Sequence, residues 1–185
     1  MKRLMVLAVG CLILGLGSTT DVFGQKKKND VEPPTLAEIP GLIEQLRSKE
    51  PDARAKAAKR LGDRAQVRAR DIKAAVSTLV DMVKNDKDTA PRAAAAQTLG
   101  YANLEPEMGV PLLVGILKED KELSVKTAAA SALGYFGPDG KDAIPALQEA
   151  QAMAKGADKT EKDKQALGKA AGAAINMINQ KAKKK

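Results

Sequence analysis

The chain has 185 residues, 29% of them charged and 44% hydrophobic, with a net charge of +8; this excludes a disordered composition and leaves room for one domain or a short repeat array. Aromatic residues make up only 2%, with no Trp, so a ring-filled core is excluded in favour of closely packed helices rich in Ala, Leu, Val and Ile. There is no His, which removes the commonest general base, neutral metal ligand and pH switch.

At the amino end, Lys2 and Arg3 precede an apolar stretch from Leu4 to Leu16, and small residues lead on to Val22-Phe23-Gly24. This pattern predicts a signal peptide over residues 1–24, cleaved before Gln25, and an exported protein, periplasmic or secreted. The alternative is an uncleaved anchor, but the apolar run is shorter than the roughly 20 residues a membrane span needs. Cys11, the only cysteine, sits inside that run, where a lipidated cysteine would instead end it. The mature chain is therefore expected to carry no thiol. Residues 25–34 are polar and end in Pro33-Pro34, the composition of a flexible linker.

From residue 35 the sequence repeats itself. Leu-Gly occurs at Leu61-Gly62, Leu99-Gly100 and Leu133-Gly134. Eight residues before each glycine stands a base, Arg54, Arg92 or Lys126, and between them lie Ala57-Ala58, Ala95-Ala96 and Ala129-Ala130. A second element precedes each: Ile39-Pro40-Gly41-Leu42, Val76-Ser77-Thr78-Leu79, Val110-Pro111-Leu112-Leu113 and Ile144-Pro145-Ala146-Leu147. Each unit reads as two helices. The first opens near its proline, which costs no intrahelical bond there, and buries a face such as Ile39, Leu42 and Leu46. The second is expected to start at short polar residues, Asp52, Thr89 and Ser124, that accept from free N–H groups. The glycines then end that helix or admit a close neighbour.

The units fall at about 35–63, 71–101, 107–137 and 142–180. In the divergent fourth, a helix from about Asp142 to Lys155 stops at Gly156. Asp158 and Glu161 look like a capping box, and a longer last helix buries Leu167, Ala171, Ala174 and Ile178. The fold class expected is all-α, a short right-handed solenoid of three to four antiparallel helix pairs with a basic tail at 181–185.

This pattern, Xaa-Pro-x-Leu-x-x-x-Leu followed by Asp/Ser-x-x-Arg-x-x-Ala-Ala-x-x-Leu-Gly, resembles the bacterial HEAT-like (armadillo-like) repeat, the type also found in phycobilisome lyases. The resemblance covers residues 36 to about 137 closely and 142 to 180 loosely. It implies a binding scaffold; its lyase branch implies, as the alternative, a lyase-like enzyme or accessory protein with a tetrapyrrole in the groove. Deoxyhypusine hydroxylases of the same repeat type bind iron through His-Glu pairs, an activity that a chain without His does not inherit.

No catalytic constellation, phosphate loop or metal cluster stands out, so no catalytic residue, cofactor or metal is expected. A non-enzymatic scaffold would use the exposed stripe of its second helices, Lys56, Lys59, Arg60, Gln97, Thr98 and Ser131, to hold an extended or helical protein partner. Tyr101 and Tyr135 follow the repeat glycines and should share one edge, either as partner anchors or as covers for apolar helix ends. Arg54, Arg92 and Lys126 recur in register, as a structural ladder to helix-end carbonyls or neighbouring carboxylates would; the other reading is a grip on an anionic partner. Lys126 lacks the bidentate fork and should bond more weakly. Carboxylates at Asp52, Asp86, Asp88, Glu119 and Asp120 read as solvated turns. Residues 155–185 hold nine Lys and three acidic residues, so the tail offers weak contact with an anionic surface. Without interleaved aromatics, no specific nucleic acid is expected.

Overall fold

Alanine at the repeat positions lets helices approach closely, and that approach organises the molecule. The computed structural model describes residues 32–156 and 161–182, so the predicted signal peptide, most of the linker, Asp158 and residues 183–185 lie outside the described residues. The eight α-helices among the described residues form four pairs: α1 (Ile39–Gln45) with α2 (Pro51–Arg68), α3 (Val76–Asn85) with α4 (Thr89–Tyr101), α5 (Pro106–Glu119) with α6 (Leu123–Tyr135), and α7 (Ile144–Met153) with α8 (Lys162–Ala182). Short 3-10 helices at Ala69–Ala75 and Gly137–Ala143 lead into α3 and α7. No strand occurs among the described residues.

The second helices carry the stack: α2 packs on α4, α4 on α6 and α6 on α8. Their shared seam is Ala57, Ala58, Leu61, Ala95, Ala96, Leu99, Ala129, Ala130 and Leu133, all fully buried, and it ends on Leu167, Ala171, Ala174 and Ile178 of α8. No single pair buries these residues alone, so each pair depends on its neighbours. The predicted all-helical repeat fold, the buried repeat leucines and the last helical face are what the structure contains.

Gly62, Gly100 and Gly134 are where the seam is tightest. A Cβ on Gly62 would lie 2.9 Å from Thr98 Oγ1, one on Gly100 2.7 Å from Ala132 Cα, and one on Gly134 3.1 Å from Ala174 Cα. The glycines thus admit a neighbouring helix. Gly100 and Gly134 also stand one residue from the ends of α4 and α6, but Gly62 does not end its helix: α2 continues to Arg68, buries Ala65, and is tied to the following 3-10 turn by Arg64 Nε donating to Asp71 Oδ2 at 2.7 Å.

Three local expectations are corrected. The helices begin at Pro51, Thr89 and Leu123, at the expected cap or one residue before it, so Asp52 and Ser124 fall within the first turn and make no cap bond. The turns are closed instead from upstream, where Asp86 Oδ1 accepts from the Asp88 N–H at 3.0 Å and Asp120 Oδ1 from the Glu122 N–H at 2.9 Å. The first helix of the third unit begins at Pro106, a turn early, leaving Pro111 inside the helix on an exposed position.

Candidate protein-interaction face

The three recurrent bases divide the molecule into a committed side and an available one. Arg54 Nε and Nη2 donate to the two oxygens of Asp86 at 2.7 and 2.8 Å, Nη2 also reaches Asp88, and Nη1 donates to the carbonyls of Ser48 and Lys49. Arg92 repeats the arrangement one unit on. Nε and Nη2 donate to Asp120 at 2.8 and 3.1 Å, and Nη1 donates to the carbonyls of Asp86 and Lys87. Asp86 therefore holds Arg54 by its carboxylate and Arg92 by its backbone, which makes the ladder continuous. At Lys126 it thins to one bond, from Nζ to the Lys118 carbonyl at 2.8 Å.

The structural ladder is thus the reading the geometry supports, and the solvated-turn reading of Asp86, Asp88 and Asp120 is corrected. Burial alone would push the Asp86 and Asp120 carboxyls up, but the guanidiniums and the turn N–H groups outweigh it and hold both below their ordinary value. A signal for these partners was present in the chain: Asp86 and Asp120 each stand six residues before the base of their own unit, Arg92 and Lys126.

The predicted stripe splits. Lys56, Lys59 and Gln97 are exposed, and with Asp63, Gln66 and Tyr101 they line a hollow of about 320 Å³ between α2 and α4. Thr98 does not belong to it as an exposed contact, because it is 1% exposed and its Oγ1 donates to the Ala58 carbonyl at 2.8 Å across the seam. Its hydroxyl fits because Gly62 has no side chain. Arg60 occupies the position equivalent to Thr98 in the first unit, where no earlier helix packs among the described residues, and it reaches back to Glu38 at 3.3 Å. Ser131 is half-buried and donates to the Thr127 carbonyl of its own helix at 3.0 Å.

Tyr101 and Tyr135 do share an edge. Their ring centroids are 4.5 Å apart at 59°, their hydroxyls are 3.1 Å apart, and Gln97 reaches the Tyr101 hydroxyl. The bond to Tyr101, with burial, pushes the Tyr135 hydroxyl up to about 12. Both rings border a second hollow of about 570 Å³ at the carboxyl ends of α4 and α6, which shares Gln66 and Tyr101 with the first. The two hollows run on across α2, α4 and α6.

Comparison with known families decides what this architecture is. A family model for HEAT repeats matches residues 76–168. The chain belongs to the HEAT-repeat family. A search of curated proteins finds no match. HEAT repeats generally serve as protein-interaction scaffolds, and the hollows lie along the stacked second helices of this HEAT array. Among the described residues no helix is long and apolar enough to cross a membrane.

Proposed function

We propose that this HEAT-repeat protein is an exported, non-enzymatic scaffold that holds an extended or helical segment of a protein partner along α2, α4 and α6. The observation that carries the reading is the pair of connected hollows lined by Lys56, Lys59, Gln97, Tyr101 and Tyr135. None of these five side chains is part of the ladder or the buried seam, so they are available to a partner at little cost in stability. The Tyr pair supplies a rigid, amphipathic anchor of the kind that dominates binding energy, and the lysines lend the α2 end a preference for acidic residues. Export rests on the sequence of residues 1–24.

A Lys56→Glu, Lys59→Glu variant is expected to lose at least one protein captured by the parent chain from an envelope extract of the native host. Unchanged capture of every partner rejects this face. Export is read separately: the protein isolated from its host should begin at Gln25.

A further inference from the structure

The second hollow has an aromatic floor, formed by Tyr101, Tyr135 and Phe136, and a rim bearing the carboxylates of Glu105 and Asp139. Neither carboxylate has an ion-pair partner among the described residues, whereas Asp86, Asp88 and Asp120 are all engaged. The last helix, α8, passes close to the same place. A methyl placed on Gly140, in the 3-10 turn after α6, would meet Phe136 Cβ at 3.3 Å and Ile178 Cδ1 of α8 at 3.4 Å. Ile178 is therefore a few ångströms from the hollow's wall, and seven residues follow it. Four of those are Lys181, Lys183, Lys184 and Lys185, and no acidic residue follows Asp163 in the sequence. α8 runs on to Ala182, so the reach beyond it is that of residues 183–185, up to about 10 Å when extended, to which each lysine adds its own side-chain length.

We propose that the lysine segment that follows α8, residues 183–185, docks into this hollow of its own chain, its ammonium groups on Glu105 and Asp139 and its methylene stems across Tyr135 and Phe136. Lysine suits such a site twice over, by charge and by favourable contact with ring faces. The other lysine run, Lys26 to Lys28, precedes the first repeat in the sequence, three units before α6 and its 3-10 turn. Being electrostatic, the docking releases as salt rises. A partner bringing its own basic segment would have to displace the tail, so the tail acts as an internal competitor for one end of the face. The docking itself stands whether or not a protein partner binds.

Carbodiimide coupling tests it directly, joining a lysine amine to a carboxylate as an amide while the carbodiimide takes up the water. The full chain, treated dilute and mapped by mass spectrometry, should give intramolecular links from Lys183–Lys185 to Glu105 and Asp139. Their yield should fall several-fold in about 1 M salt, where screening reaches within about 3 Å. In a Glu105→Gln, Asp139→Asn variant, whose two positions are exposed and can no longer be coupled, the total yield of intramolecular tail links should fall several-fold, without transfer to other carboxylates. Tail links spread evenly over surface carboxylates, found only in cross-linked dimers, replaced by links from Lys26–Lys28, or absent would each overturn the proposal.

Discussion

Arg92 and Asp120 show how one residue type at one register position becomes structure. Their side chains are each 7% exposed, and the fork of the guanidinium meets both carboxylate oxygens. Removing one partner strands the other charge in a dry place, so Asp120→Ala is expected to cost about 3–5 kcal/mol in urea unfolding. Arg92→Lys should cost less but remain measurable, since an ammonium satisfies one oxygen in place of two. Acid tests the same pairs. Carboxyls held below their ordinary value of 3.8 contribute stability that is fully present above that value and is lost as pH falls through their lower folded values. Urea midpoints should therefore drop below about pH 4, and drop less steeply in Asp120→Asn. At the other end of the scale, Tyr101 and Tyr135 are the only tyrosines, so an ultraviolet titration resolves them. Tyr135 should ionise near 12 in the parent chain and return toward 10.0 in Tyr101→Phe, because its shift comes first from the bond to Tyr101. The stability from the neutral Tyr135 is complete below 10.0 and lost as pH rises toward 12.

Between helices, the repeat glycines set the spacing. Gly100→Ala puts a methyl 2.7 Å from the Ala132 Cα, which is backbone and cannot move aside alone. The helices must part, at an expected cost of about 1–3 kcal/mol by thermal or urea unfolding. Gly41→Ala is the matched control: it meets nothing within 4 Å inside α1, so it should stabilise by about 0.5–1 kcal/mol through reduced chain freedom. A destabilised Gly41→Ala with an unaffected Gly100→Ala would show that the helices are not packed in this register. The small residue facing each glycine, Thr98, Ala132 and Ala174, belongs to the next pair. This explains why the first pair alone tolerates a long charged residue at the position of Thr98. Among the described residues Arg60 meets no preceding pair, and it pairs with Glu38.

Across the whole array, Leu99 lies in the middle of the continuous seam and is fully buried between α2 and α6 on its own helix α4. Because each pair leans on the next, Leu99→Ala is expected to cost about 2–5 kcal/mol and to lower one unfolding transition, without splitting it in two. A cost below about 0.5 kcal/mol, the size of an ordinary surface change, would contradict the seam. The ladder residues Arg54, Arg92 and Lys126 do not line the two hollows along the same helices, so the proposed recognition draws on side chains other than those of the ladder.

The helical repeat was legible in the chain itself. Leu61, Leu99 and Leu133 recur with their alanines at a spacing that only stacked helix pairs can bury, and the arginines recur because every pair presents the same turn to its neighbour. A period in sequence reports what each unit does alike, which is packing. What differs between units was decided only in three dimensions. Thr98 and Gln97 are adjacent in sequence, yet one bonds across the seam and the other faces the hollow, since a difference of 100° around the helix separates contact from solvent. Asp86 and Asp120 lie in turns that look solvated until the neighbouring pair's arginine is laid over them. The hollow at Phe136 and the nearness of Ile178 to it depend on α6, its 3-10 turn and α8 meeting at Gly140, contacts between distant parts of the chain that no local spacing encodes.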